Sequence, residues 1–189
     1  CAPFENVYTL ALRGLHDRAM NASNNMSDRK EMLQEALMAQ RQMLVDVIGK
    51  RAEDIPQAFT PYKEVLDVYD QGLELPDDVT IIWPDDNYGY MKRLSSPKEQ
   101  KRSGRSGVYY HSSYLGKPHD HLWMNTISPT LMYEELRKAY DLTADRIWLL
   151  NAGDIKSCEF AVDYFLTMAF DIDSFNFERA ANYRTEWLC

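Results

Sequence analysis

The sequence has few cysteines, no long apolar run and a shortage of positive charge. Its three cysteines (Cys1, Cys158 and Cys189) are too few and too irregularly spaced for a disulfide framework or a zinc ribbon. The apolar runs fall short of the roughly 18 residues that a membrane span needs. Lys and Arg number 21 against 29 Asp and Glu, and the resulting formal charge of −8 argues against nucleic acid as the main partner.

The sequence also lacks the short motifs of nucleotide sites and of secretion. Neither a G-x-G-x-x-G fingerprint nor a phosphate loop is present, so a nucleotide-binding fold is not favoured. No signal peptide is visible, and residues 2–4 (APF) lead almost at once into a predicted strand, as in a segment excised from a longer protein. The missing signal therefore predicts nothing about where a parent protein acts.

Enough apolar residues remain for one folded domain, since the 189 residues are 45% hydrophobic and 26% charged. The rest of the chain is organised around residues 79–89 (VTIIWPDDNYG), in which an apolar run leads into an acidic, amide-bearing cluster. A near-continuous apolar run is typical of a strand buried on both faces of a parallel sheet. Polar groups at the C-terminal end of such a strand are where α/β barrels carry their chemistry.

The same layout recurs, because strand-like segments alternate with helical patterns. Predicted strands cover residues 6–12, 56–60, 79–83, 107–111 and 146–150, and predicted helices cover residues 28–48, 61–71, 130–140, 158–170 and 173–188. Ser27 or Asp28 is the predicted N-cap of the first helix, and Gly49 ends it. The alternation implies right-handed crossovers and a parallel sheet. About five consecutive βα units predict part of a (β/α)8 barrel, with an open doubly wound sheet as the alternative.

Polar residues that follow parallel strands meet at one edge of the sheet. The residues expected there are Arg13, His16, Asp17, Glu64, Asp85, Asp86, Tyr109 or Tyr110, His111, Tyr114, Asn151 and Asp154. Glycoside hydrolysis needs one carboxyl group to protonate the leaving oxygen and another to activate water or to attack carbon, and Asp17, Glu64 and Asp85 are candidates. Arg13 offers a forked cation suited to a sugar carboxylate.

Two other interpretations stay open at this point. A metal-dependent hydrolase on the same barrel is one, since the set above, together with His119 and His121, includes common ligand types. The candidate ligands are irregularly spaced along the sequence, and residues 119–121 (HDH) are more typical of a solvated loop. A non-catalytic carbohydrate-binding homologue or fragment is the other.

Longer motifs carry a family resemblance. The runs VTIIWPDDNYGYMKRL, SGVYYHSSYLGKP, HLWMNT and RIWLLNAGDIKSCEFAVDYF, preceded by RGLHD and PYKEVLDVYDQG, resemble glycoside hydrolase family 115 over nearly the whole chain. The resemblance implies a xylan α-1,2-glucuronidase, which removes glucuronic acid or its 4-O-methyl form with inversion of configuration. It places residues 1–189 as a single segment of a (β/α)8 catalytic domain, truncated at both ends relative to the family.

The resemblance also implies roles for particular residues. It makes Glu64 one catalytic carboxylate and Asp17 or Asp85 its partner, and it assigns the uronate to Arg13. The implied pocket-lining residues are Tyr109, His111, Tyr114 and Asn151. No metal and no other cofactor is implied.

The implied partner is glucuronoxylan or a related uronate-bearing glycan, without nucleic acid or membrane. The parent protein is expected to be a homodimer that is secreted or periplasmic. Because further segments and a second copy complete the family's pocket, we expect the 189-residue segment alone to be inactive. Pro84, residues 117–121 and Ser157-Cys158 depart from the family pattern. We expect these rim changes to affect which glycan is bound more than the reaction.

Overall fold

The structure is a computed structural model that describes residues 4–14, 18–20, 25–116, 120–121 and 124–189. Its strands are β1 (Tyr8–Leu10), β2 (Gln57–Phe59), β3 (Thr80–Pro84), β4 (Ser106–His111), β5 (Tyr114–Leu115), β6 (Asp120–His121) and β7 (Trp148–Asn151). Its α-helices are α1 (Met26–Ile48), α2 (Glu64–Asp70), α3 (Pro129–Asp141), α4 (Glu159–Phe170) and α5 (Phe177–Leu188). Single 3-10 turns span Ala52–Asp54, Glu99–Lys101, Ile155–Ser157 and Ile172–Ser174.

Five of the strands form one sheet in the order β1-β2-β3-β4-β7. β1 pairs with β2, β2 with β3, and β4 with β7, all in parallel, with Phe59 opposite Ile81 and Tyr109 opposite Leu149. Parallel neighbours need a crossover connection, which α1, α2 and α3 supply between successive strands. The predicted fold class, part of a (β/α)8 barrel, is confirmed.

Two local features depart from the predicted pattern. The connection between β3 and β4 holds one 3-10 turn and no α-helix, so one of the five units lacks its helix. The short strands β5 and β6 pair antiparallel, a hairpin that the sequence pattern does not predict. Among the described residues, no helix is both long enough and apolar enough to cross a membrane.

The chain divides into two compact units, which are described separately. Unit 1 comprises Cys1–Ile82 and Lys101–Arg105, and unit 2 comprises Trp83–Gln100 and Ser106–Cys189. In unit 1, apolar side chains of α1, α2 and the first two strands bury one another. The fully or almost fully buried members are Leu10, Leu33, Leu37, Phe59, Val65 and Val68. Each such side chain contributes about 1.5–3 kcal/mol, so this core anchors the segments that follow β1 and β2.

The N-cap of α1 differs from the prediction. Asn25, in extended backbone, accepts a hydrogen bond from the Ser27 N–H at 3.1 Å and is the cap. Asp28 lies in the first turn, where its carboxylate accepts a bond from the Asn25 side chain. The predicted cap at Ser27 or Asp28 is therefore wrong, because both are already helical. Gly49 ends the helix as predicted, with a left-handed φ of 73°.

In unit 2, aromatic side chains hold α4 and α5 together. Tyr164 contacts Phe175 and Tyr183 edge-on, each at 5.1 Å between ring centroids. The last helix begins at Phe177 rather than at residue 173, because the Asn176 side chain caps it by accepting the Arg179 N–H. These contacts fix the layer of helices behind β4 and β7.

Candidate active site

In unit 1, Arg13 and Glu64 form a forked ion pair. Arg13 follows β1 and Glu64 is the first residue of α2, directly after β2. Arg13 Nε donates to Glu64 Oε1 at 3.2 Å, and Arg13 Nη2 donates to Glu64 Oε2 at 3.1 Å. The two side chains are 20% and 18% exposed. This two-bond geometry gives both strength and a fixed orientation, and solvent still reaches both groups.

The backbone just before Glu64 is strained. Lys63 has φ 53° and ψ −121°, a conformation that side-chain-bearing residues rarely adopt. Such a residue costs of order 1–3 kcal/mol and persists only where its surroundings enforce it. The buried side chains of Val65 and Val68 anchor α2 immediately afterwards. The strain therefore sits at the point that sets the direction of the Glu64 side chain.

Two cations lie against the ring of Tyr62, beside the forked pair. The Arg13 guanidinium lies 5.4 Å from the centroid of the Tyr62 ring, and the Lys63 ammonium lies 4.9 Å from it. Contacts of this kind contribute about 0.5–2 kcal/mol. Tyr62 and Lys63 were not among the predicted site residues. The sequence PYKE contains no glycine that would mark the positive φ of Lys63, so only the neighbouring Pro61 hints at a turn.

In unit 2, Asp85 and His111 form a buried pair. Asp85 Oδ1 lies 2.6 Å from His111 Nδ1, and the Gly89 N–H donates to Asp85 Oδ2 at 3.2 Å. The side chain of Asp85 is 0% exposed and that of His111 is 1% exposed. The Asp85 N–H also donates to the Tyr109 carbonyl at 3.1 Å, which ties the end of β3 to β4. Both carboxylate oxygens of Asp85 are thus bonded inside the protein.

Tyr109 and Asn151 are the partly exposed members of the unit 2 group. The Tyr109 ring lies 4.3 Å from the His111 ring, on the same face of β4. The Asn151 side-chain amide donates to the Tyr109 hydroxyl at 3.0 Å, so the ends of β4 and β7 are joined by this bond. Ser113 donates to the Asn151 carbonyl group and side-chain oxygen, each at 3.4 Å. Tyr109, His111 and Asn151 are therefore brought together as the sequence predicts.

The residues after Asp85 build a tight loop. Asp86 accepts hydrogen bonds from the Tyr88 and Tyr90 N–H groups, so its carboxylate shapes the loop. Gly89 has φ +88°, and a Cβ there would lie 2.9 Å from the Tyr110 hydroxyl oxygen, so only glycine fits. The Tyr110 hydroxyl donates to the Gly89 carbonyl at 3.0 Å. Burial, together with the nearby negative charge of Asp85, raises the pKa of Tyr110 well above its usual range.

Some predicted residues lie outside the part of the chain that the structure describes. They are His16, Asp17 and His119, together with the side chains of Tyr114 and His121. Asp154, predicted at the strand end, is exposed and precedes a 3-10 turn. Within the described ranges, no group of three or more His, Cys, Asp or Glu side chains is arranged to hold a metal ion.

Comparisons with known proteins agree on one family. The family model described as glycosyl hydrolase family 115 matches residues 1–189. Among solved structures, one similar chain is a family GH115 4-O-methyl-alpha-glucuronidase with specificity for decorated arabinogalactans. It is 45% identical with a TM-score of 0.85, over 89% of this chain but only 22% of that chain. A comparison with curated proteins gave no match. Because the family model covers the whole sequence, this chain belongs to glycosyl hydrolase family 115, a family of glycoside hydrolases.

Proposed function

We propose that the protein is an α-glucuronidase that removes glucuronic acid, or its 4-O-methyl form, from a polysaccharide. Family membership supports a glycoside hydrolase, and the similar solved enzyme is a 4-O-methyl-alpha-glucuronidase. The observation that carries the proposal is the forked pair of Arg13 and Glu64. It joins a cation that matches a planar sugar carboxylate to a carboxylate that can act on the glycosidic bond.

The carboxylate of a uronic acid is what distinguishes this substrate from a neutral glycoside. It presents two oxygens in the same planar arrangement as the Glu64 side chain, so the fork of Arg13 suits both. We assign the uronate to Arg13 on this ground. Tyr109, Tyr114 and Asn151 are proposed to form the part of the pocket that receives the ring hydroxyls, and the buried His111 ring, which packs against Tyr109, is proposed to support them.

The proposed reaction is inverting and uses two carboxyl groups. One group protonates the leaving glycosidic oxygen, while the other takes a proton from the water that attacks the anomeric carbon. In such enzymes the two groups lie roughly 6.5–9.5 Å apart, which leaves room for the water. Glu64 is proposed as one of them, and Asp17 or Asp85 as the other.

The proposal also concerns which polysaccharide backbone carries the uronate. The family resemblance favours glucuronoxylan with α-1,2-linked uronate. The similar enzyme has specificity for decorated arabinogalactans, so a uronate-decorated arabinogalactan is the second backbone to test. We propose a homodimer for the full-length protein, which light scattering on the purified protein would test.

The decisive experiment measures uronic acid release from both glycans by the full-length protein and its Glu64→Gln variant. Glu99→Gln is the matched control, because Glu99 forms a similar fork with Arg93 at 2.8 and 3.0 Å. Those side chains are comparably exposed, at 25% for Arg93 and 12% for Glu99. We expect a loss of more than about 10³-fold in Glu64→Gln and little change in Glu99→Gln.

The outcomes separate the parts of the proposal. Release that is unchanged in Glu64→Gln would remove Glu64 from the chemistry. Release from neither glycan by the folded wild-type protein would reject the activity itself. Proton NMR of the first-released sugar tests inversion, which predicts the β-anomer before mutarotation.

A further inference from the structure

The buried position of Asp85 bears on which carboxylate works with Glu64. A general acid or base must come within hydrogen-bond reach, about 2.6–3.2 Å, of the oxygen or water with which it exchanges a proton. The side chain of Asp85 is 0% exposed. One of its oxygens is bonded to His111 and the other to the Gly89 N–H. To reach a glycosidic oxygen or a water, the buried Asp85 side chain would have to move, and turning it away from His111 or Gly89 would cost about 1–3 kcal/mol.

The bonds of Asp85 suit a different task, which is to fix the ring of His111. An ionised carboxylate only accepts hydrogen bonds, so His111 Nδ1 is the donor in the 2.6 Å contact. The Gly89 N–H holds the second oxygen, which prevents the carboxylate from rotating. This contact sets both the tautomer and the plane of the imidazole.

A chain of contacts leads from the buried pair to partly exposed side chains. The His111 ring packs against the Tyr109 ring at 4.3 Å, and the Tyr109 hydroxyl accepts the Asn151 amide at 3.0 Å. Tyr109 and Asn151 are only half-buried, unlike Asp85 and His111. The position of the buried ring therefore decides where the two half-buried side chains present their polar atoms.

We infer that Asp85 is a positioning residue, which acts through His111 on Tyr109 and Asn151 and is not one of the two carboxylates that act on the glycosidic bond. This inference rests on the proposed function.

Chemical rescue of the full-length enzyme separates the two roles. In a variant that lacks the catalytic base, azide attacks the anomeric carbon in place of water, so a carbon–nitrogen bond forms as the glycosidic carbon–oxygen bond breaks. In a variant that lacks the acid, α-glucuronosyl fluoride is still hydrolysed, because fluoride leaves without a proton. We expect Glu64→Gln to be rescued in one of these assays, which makes it the positive control.

Asp85→Asn is expected to lose about 10–100-fold in kcat/KM and to be rescued in neither assay. His111→Gln should show a similar loss, and the double variant should be no worse than either single variant, because both disrupt the same unit. Asp163→Asn is the control, since that carboxylate lies in α4, outside the group at the strand ends, and accepts a hydrogen bond from the Tyr183 hydroxyl at 2.6 Å. It should retain wild-type kcat/KM.

Rescue of Asp85→Asn by azide or with the fluoride substrate would overturn the inference while leaving the proposed activity intact. Additive losses in the double variant would also overturn it. If Asp85→Asn does not fold, the His111→Gln variant is the test. A loss in its kcat/KM below about twofold would mean that Asp85 does not act through His111. A wild-type enzyme that releases no uronic acid from either glycan rejects the proposed function, and the inference falls with it.

Discussion

Arg13 and Glu64, which are 51 residues apart in the chain, are joined by two parallel hydrogen bonds of 3.2 and 3.1 Å. The pair connects the segment after β1 to the first turn of α2 within unit 1. Each partner fixes the other, since a guanidinium can donate two parallel hydrogen bonds to a carboxylate in only a narrow range of orientations. The relationship makes the geometry of Arg13, as well as its charge, testable.

Arg13→Lys keeps the positive charge but removes the fork. We expect kcat/KM for uronate-bearing glycan to fall by about tenfold or more, because a lysine ammonium cannot make two parallel bonds to one carboxylate. Arg93→Lys is the control, since Arg93 forms a comparable fork with Glu99. Steady-state kinetics on both variants checks this. Equal losses in the two variants would mean that the effect is general destabilisation and not recognition of the uronate.

Lys63→Gly should relieve the strained backbone before Glu64. Glycine adopts φ 53° freely, so we expect the free energy of unfolding to rise by about 1 kcal/mol. Activity should fall several-fold, because a freer backbone no longer directs Glu64 towards Arg13. Denaturant unfolding, measured on the same sample as initial rates, tests the expected rise in stability. The initial rates test the expected fall in activity.

Thr143→Gly is the control for the Lys63→Gly variant. Thr143 also has a positive φ, 76°, but it lies just beyond the C-terminus of α3 in unit 2. It should gain similar stability without any change in activity. A Lys63→Gly variant that is more stable and fully active would show that the strain has no role at the site.

The raised pKa of Tyr110 predicts how the free energy of unfolding depends on pH in the alkaline range. Burial raises its pKa in the folded protein, while the unfolded chain keeps a tyrosine pKa of about 10. Above that pH the unfolded state loses a proton that the folded state retains, so stability falls as pH rises, by about 1.4 kcal/mol per pH unit. In Tyr110→Phe this contribution is absent.

The measurement is urea unfolding of the wild type and Tyr110→Phe at several pH values between 8 and about 11.5. The stability advantage of the wild type over the variant should be constant up to about pH 9.5 and should shrink above it. A difference that does not change with pH would contradict a raised pKa for Tyr110.

Metal removal tests the alternative hydrolase chemistry. In the parts of the chain that the structure describes, no three His, Cys, Asp or Glu side chains form a ligand group, and the Asp85 carboxylate is already bonded to His111 and Gly89. We expect dialysis against EDTA to leave uronic acid release unchanged. Activity that is lost on dialysis and restored by one divalent cation would favour the metal-dependent reaction.

Much of the fold could be predicted because it depends on local pattern. The apolar run at residues 79–83 and its repeats along the chain predict parallel strands, and β3 and its neighbours confirm them. The predicted helix over residues 61–71 places Glu64 in its first turn, and the observed helix α2 begins at Glu64. The hairpin of β5 and β6 was missed because strands of two residues are too short to show a period.

The sequence alone determined the alternation of strands and helices, the polar residues at the strand ends and, through its long motifs, the family. These depend on residue type and spacing along one chain. Tertiary structure decided which partners the polar groups have and how deeply they are buried, because both depend on residues far apart in sequence. Asp85 and Glu64 both follow strands and both carry a carboxylate. Asp85 is fully buried and paired with His111, whereas Glu64 is half-buried and paired with Arg13. Solvent access and hydrogen-bond partner, which packing alone sets, distinguish these two carboxylates.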